Sequence, residues 1–182
     1  MNTFNTIAKH DRQHIDILKI RLIPFKFPPI QKPTFDFSGG AGSGNGPYKD
    51  VFKNESTLGA VARSLKDLSV RAYIAQYEYM SRAGIVNGSG VHPVECRHAA
   101  QLRSLPFGRL ESEQPWITRN LTNVPFDGLR PVYFGEENTV QDNIQIVNIN
   151  GKAVTVDHAT EAFDEPLEME AANSILEQFI VR

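Results

Sequence analysis

Glu95 and His98, in the stretch Val94-Glu95-Cys96-Arg97-His98-Ala99-Ala100, are a carboxylate and an imidazole three residues apart. On a helix, residues i and i+3 share a face, so both side chains can address one object. A second unit of this form lies near the start of the chain. There Asp11 and His14 have the same spacing within His10-Asp11-Arg12-Gln13-His14. Two (Asp/Glu)-x-x-His units on separate helices are half of the ligand set of a dinuclear iron or manganese centre inside a helical bundle. One Glu from each of two further helices completes such a set. Asp11, His14, Glu95 and His98 are therefore the candidate metal ligands. Two carboxylates and two imidazoles suit Fe(II), Mn(II) or Zn(II). An ion so held, with an exchangeable water, supports redox or hydrolytic chemistry.

Both units need helices, and the apolar spacing supplies them. Over residues 2–22, Phe4, Ile7, Ile15, Leu18 and Leu22 recur at three- and four-residue steps, with Asp11 and His14 inside the stripe. Pro24 stops this helix. Residues 56–81 form the best helix, with Leu58, Val61, Leu65, Leu68 and Ala72 on one face and Asn54 or Ser56 as its cap. The helix of Glu95 starts at Val91 or His92, with Pro93 in its first turn and Pro106 and Gly108 at its end.

Residues 24–50 read as a connector. Pro24, Pro28, Pro29 and Pro33 forbid helix, and 39–46 is a glycine-serine run of flexible composition. That run has no phosphate-binding register. Phe35 and Phe37 are expected to anchor it. Beyond residue 108, Pro131-Val132-Tyr133-Phe134 reads as extended. Apolar runs at 144–149 and 153–156 around Asn150-Gly151 read as a hairpin. Asp164 is expected to cap a terminal helix beginning near Pro166, with Leu167, Ala171, Ile175 or Leu176, and Phe179 on one side.

The bulk properties narrow the function. The 182 residues carry 19 basic and 21 acidic side chains, a net of −2, which argues against a nucleic-acid or anionic-membrane partner held by bulk charge. No apolar run is long enough for a membrane span. No charged head precedes an apolar core at the N-terminus, so no signal peptide is legible and the compartment defaults to the cytoplasm. The single Cys96 excludes an intrachain disulfide. It reads as a small hydrophobe with no base arranged for it. His10-Asp11-x-x-His14 is close to a zinc-protease motif, but the shorter Asp11 misplaces a general base and no third ligand follows.

Four segments taken in order resemble one family: 6–15 (Thr6 to Ile15), 33–37 (Pro33 to Phe37), 66–73 (Lys66 to Tyr73) and 94–103 (Val94 to Arg103). They are similar to the ferritin-like domain of bacterial and plant desiccation-related proteins, distant relatives of manganese catalases. Trp116-Ile117, Pro131-Val132-Tyr133, Gly135-Glu136-Glu137-Asn138-Thr139 and 161–167 (Glu161 to Leu167) look like the segments that follow that family's last bundle helix. The resemblance implies a four-helix bundle with a dinuclear site, often in exported proteins. It also implies departures. The family's first helix, with its Glu, has no counterpart. Asp11 replaces a Glu, and the family's Glu-Asp pair is Lys66-Asp67. Only Glu95 and His98 match in full.

The expected fold is thus mainly α: an incomplete bundle of three helices over 1–108, with its linker at 24–50, and an extension over 109–182 packed on it. Lys66 weighs against a metal, because an ammonium beside a dication in a low-dielectric interior is costly unless it deprotonates or swings out. Asp67 lies about 100° of helix from the needed face. The favoured expectation is a divergent member without a complete dinuclear site, acting through association or structure. Its cluster would be held by Lys66, Arg97 and Arg71. The alternative is an iron- or manganese-binding protein that handles peroxide or iron. A three-helix bundle leaves an apolar groove, expected to be filled by the terminal helix or by a second copy of the chain. A third reading takes the chain as the downstream part of a longer protein, or as a decaying copy of one.

Overall fold

The structure, a computed structural model, describes residues 3–82, 90–106, 114–120 and 124–182. Its three long helices are α1 (Thr3–Leu22), α2 (Glu55–Arg82) and α3 (Val91–Arg103). The protein is mainly helical, and a small antiparallel hairpin is present among the described residues, as expected. Lys19 and Arg21 suit the negative end of the α1 dipole. Beyond Leu22 a short 3-10 turn, Ile23–Phe25, takes in Pro24, and Lys26 closes it with φ 57°. Asn54 caps α2, its Oδ1 accepting the Thr57 N–H at 3.0 Å. Pro93 sits in the first turn of α3, where its missing N–H costs no hydrogen bond.

The glycine-serine run is not the open linker its composition suggests. It winds around Asp36, whose carboxylate accepts the N–H groups of Ser38, Gly42 and Gly44, each at 2.9 Å. Hydrogen bonds from the Ser38 side chain and from these N–H groups hold Asp36 at a pKa of about 2. Gly46 is required here, since a Cβ on it would lie 2.4 Å from the backbone of Ser38, Gly39 and Gly40. The expected anchors Phe35 and Phe37 are both exposed. Tyr48 and Val51 anchor the segment instead. Tyr48 is fully buried, stacks on Phe179 at 5.5 Å and donates its hydroxyl to Gln178 Oε1 at 2.7 Å. The backbone also ties the connector to the C-terminal end: Asp36 N–H donates to the Phe179 carbonyl, and Val181 N–H to that of Thr34.

The extension departs from expectation in five places. Pro131 to Tyr133 belong to a 3-10 turn, Asp127–Tyr133, because Leu129, Val132 and Tyr133 all reach the core from it. The hairpin pairs β1 (Val140–Gln141) with β2 (Ile144–Gln145). Asp142 and Asn143, both at positive φ, make its turn. At Asn150-Gly151 there is a 3-10 turn, with Asn148 N–H bonded to the Val154 carbonyl across it. A further short helix, α4 (Val156–Glu161), is capped by Thr155. The terminal helix α5 (Met169–Glu177) begins after Glu168, not at Pro166, and Asp164 does not cap it.

The core lies between the connector, α2 and the extension. Val61 and Leu68 of α2 meet Leu129, Val132, Leu167, Ile175 and Phe179 there. The α2–α3 pair is closely packed. By contrast α1 buries only Ile7 and His14, and its Ile15 is exposed rather than in the expected apolar stripe. Two clefts flank α1, one of about 940 Å³ against α3 and one of about 480 Å³ against α2. The α5 helix packs on α2 and the 127–133 turn and lines neither cleft, so it does not fill the expected groove.

Candidate metal centre

Helix α3 buries Val91, Glu95, His98 and Leu102, a stripe repeating every three or four residues. That spacing turns Glu95 and His98 inward together. Across from them α1 presents His14, buried, and Asp11, half-buried. His14 Nδ1–H donates to Glu95 Oε1 at 2.7 Å. From α2, the Lys66 ammonium reaches into the same space and donates to Asp11 Oδ1 at 2.7 Å and to Glu95 Oε2 at 2.8 Å. Ser69 adds a longer hydrogen bond to Glu95 Oε2 at 3.3 Å. His98 Nδ1 lies 3.5 Å from Asp11 Oδ1 and 3.9 Å from Glu95 Oε1, and makes no hydrogen bond.

The electrostatics follow from this arrangement. Burial alone would raise the Glu95 carboxyl. The hydrogen bond and charge of Lys66, with the His14 hydrogen bond, outweigh it and bring the pKa below its ordinary value. Burial and the Lys66 charge push His98 down, against the pull of Glu95 and Asp11. A neutral His98 is the consequence. Its Nε2 stands 3.0 Å from His10 Nδ1, with the two rings stacked at 5.3 Å. In the tautomer that carries its proton on Nε2 and donates it to His10, the His98 Nδ1 lone pair is left facing the two acids, where a cation would satisfy it. Tyr73 borders the cluster, and burial with the charges of Glu95 and Asp11 pushes it up to about 12.

All four expected ligands therefore meet in one place, in two roles. Ligand atoms of Asp11, Glu95 and His98 lie within 4.8 Å of one another, the one such group of acid, histidine and cysteine side chains among the described residues. His14 is spent on Glu95 from the side. A dinuclear centre would need both carboxylates facing metal, and the Lys66 ammonium already bonds to each of them. The donor set as it stands does not fit two ions. It fits one ion by ligand type, once Lys66 moves aside.

Several residues take other roles than their sequence suggested. Arg71 joins a separate buried pair with Glu136, and Arg97 is exposed along the cleft. Asp67 turns away from the cluster to Arg103 and Tyr133. Cys96 does have a base nearby, with His92 Nε2 3.5 Å from its Sγ, but burial pushes the thiol up, away from reactive thiolate. His10, Ser69 and Tyr73 were missed as members of the site. Ser69 and Tyr73 follow Lys66 at i+3 and i+7 on one face of α2, a spacing that could have found them.

A carboxylate–histidine cluster between long helices, on the i and i+3 positions of two of them, defines a class of helical-bundle metal proteins and their relatives. The family model described as "Ferritin-like domain" matches residues 1–107, more than half of the chain, and the chain belongs to that family. No curated protein and no solved structure matched it.

Proposed function

We propose that this ferritin-like domain is a divergent one, whose carboxylate–histidine cluster is closed by the Lys66 ammonium and which acts through structure and association. The observation that carries this reading is Lys66 Nζ at 2.7 Å from Asp11 and 2.8 Å from Glu95, where a metal would draw on the same two carboxylates. An internal ammonium supplies positive charge to the buried Glu95 and the half-buried Asp11, with hydrogen bonds and no loading step. The segments around Asp11, Lys66 and Glu95 resemble those of the desiccation-related proteins, which supports placing the chain with that branch of the family. Association is supported by the two open clefts beside α1, with Ile7, Ile17 and Ile20 on their walls. A second copy of the chain or another amphipathic helix would cover them.

Metal analysis of protein prepared without chelators tests the closed site. The expected result is below about 0.1 equivalents of Fe, Mn and Zn, with no rise in melting temperature on added Mn(II). Light scattering tests association, with a mass above the 20.4 kDa of one chain expected.

A second reading is favoured by the unpartnered His98 Nδ1 and the convergence of Asp11, Glu95 and His98. In it, one Fe(II) or Mn(II) displaces Lys66 and is held by these three residues, with His14 orienting Glu95 and His10 orienting His98. One equivalent of metal, lost in His98→Ala, would replace the first reading with this one.

A further inference from the structure

The stretch from Ile17 to Phe35 contains Lys19, Arg21, Lys26 and Lys32 and no acidic residue. It holds four of the chain's 19 basic side chains and none of its 21 acidic ones. All four cations are exposed. Among them stand Ile20, Ile23, Phe25, Phe27 and Ile30, also exposed. Ile30 is 95 % exposed, Ile23 69 % and Phe27 64 %. The backbone explains why they project. Ile20 and Ile23 lie three residues apart where α1 ends. Pro24 and the left-handed Lys26 then turn the chain, and Pro28-Pro29 hold it extended past Ile30. The tips of Ile23, Phe25, Phe27 and Ile30 line none of the clefts described above. They are exposed to water, and the four exposed cations are interleaved with them along the chain.

We propose that this knuckle is an interfacial anchor for an anionic lipid bilayer. Its apolar tips enter the boundary between headgroups and acyl chains, and Lys19, Arg21, Lys26 and Lys32 meet the headgroup phosphates. Long basic side chains suit this geometry, since their stems lie along apolar surface while their charges stay wet. Exposed apolar side chains that line no cleft, interleaved with cations, match a fluid anionic surface. A second copy of the same patch would set cation against cation. A nucleic acid would satisfy the cations and stack on Phe25 and Phe27, but it would leave the aliphatic tips of Ile20, Ile23 and Ile30 in water. Among the described residues no helix is long and apolar enough to cross a membrane, and the proposed contact is with the surface. The bulk charge of −2 hides this local asymmetry. The proposal is independent of whether the Asp11–Glu95–His98 cluster holds Lys66 or a metal.

Flotation of the full chain with vesicles of phosphatidylcholine alone, and with about 30 mol % phosphatidylglycerol added, tests it. The chain should float with the anionic vesicles, stay largely behind with the neutral ones, and come off as salt is raised. Ile23→Ser/Phe27→Ser should lower the partition coefficient by about tenfold or more. Lys26→Glu/Lys32→Glu should lower it by at least about fivefold per cation. Neither pair contributes to the core, so circular dichroism and melting should match the unaltered chain. No flotation with anionic vesicles, or flotation that Ile23→Ser/Phe27→Ser leaves unchanged, would overturn the proposal. So would tighter retention of a single-stranded or duplex oligonucleotide than of the anionic vesicles.

Discussion

Lys66 and Asp67 are neighbours in α2, about 100° apart around the helix, and they serve two different ionic clusters. Lys66 faces α1 and α3 and joins Asp11, Glu95, His14 and His98. Asp67 faces the other way. It accepts from Arg103 at 2.5 Å and from the Tyr133 hydroxyl at 2.7 Å. One turn further, Arg71 pairs with Glu136 at 2.7 Å and donates to the carbonyls of Val132, Phe134 and Glu165. The residue types are alike, but access to water differs. The Lys66 side chain is 14 % exposed and that of Asp11 36 %, whereas those of Arg71 and Glu136 are 1 % and 0 %. A cluster at the edge of water can exchange one cation for another. A sealed one cannot, and it works as a staple that fixes the extension to α2. Site-like chemistry and structural pairing are separated here by one step along a helix.

The sharpest way to break this contrast is Arg71→Met. It leaves the Glu136 carboxyl buried without its partner and strips three carbonyls of a donor. Leaving these buried acceptors without their donor costs about 1–3 kcal/mol for each. Chemical denaturation should show it as a lower midpoint, with the extension losing protection from proteolysis first. A loss below about 1 kcal/mol would mean that the sealed cluster is no staple.

Next in size is a pH dependence that belongs to the sealed side. Glu136 Oε2 has no hydrogen-bond partner, and burial raises the carboxyl to about 7 in spite of Arg71. The folded state thus holds a proton that the unfolded chain releases near its ordinary value of 4.5. Stability from this group is complete below pH 4.5 and is lost as pH rises towards 7, by about 1.4 kcal/mol per unit of separation. Glu136→Gln keeps a neutral side chain at every pH and should flatten this part of the curve. Denaturation midpoints between pH 4.5 and 7.5 that fall equally in both proteins would move the proton elsewhere.

Local spacing made the three helices legible, since Val91, Glu95, His98 and Leu102 mark a buried face whatever packs on it. Pro24 and Asn54 punctuate the chain through their own backbone chemistry. The hairpin was misplaced because Asn150-Gly151 and Asp142-Asn143 both tolerate positive φ, and spacing alone does not choose between them. Lys66 was readable as a cation at a ligand position. Arg71 was assigned to the wrong cluster, because its partner Glu136 lies far along the chain and no local pattern couples them. His10 was missed for the same reason, its partner His98 being 88 residues away. The apolar tips of Ile23, Phe27 and Ile30 read as connector, since burial is a property of the whole fold.

The smallest effects should come from the wet cluster, and they sharpen the contrast by being small. Asp11 is more than a third exposed, so water already screens its pair with Lys66. Asp11→Ala should cost less than about 1 kcal/mol. Lys66→Met goes further, because Glu95 is only 4 % exposed and keeps just His14 and Ser69 as donors. Leaving a buried carboxylate with fewer partners costs about 1–3 kcal/mol. Part of that cost should return on adding Mn(II), since removing the ammonium frees two carboxylates to face the His98 lone pair. The double variant, Lys66→Met with Asp11→Ala, removes one of those carboxylates and should lose the Mn(II) response while melting within about 1 kcal/mol of Lys66→Met alone. Melting curves of the three variants with and without Mn(II) therefore read cation exchange directly. If Mn(II) leaves Lys66→Met unmoved, the open cluster takes no cation but its own lysine, just as the sealed one takes none but Arg71, and water access is not what separates them.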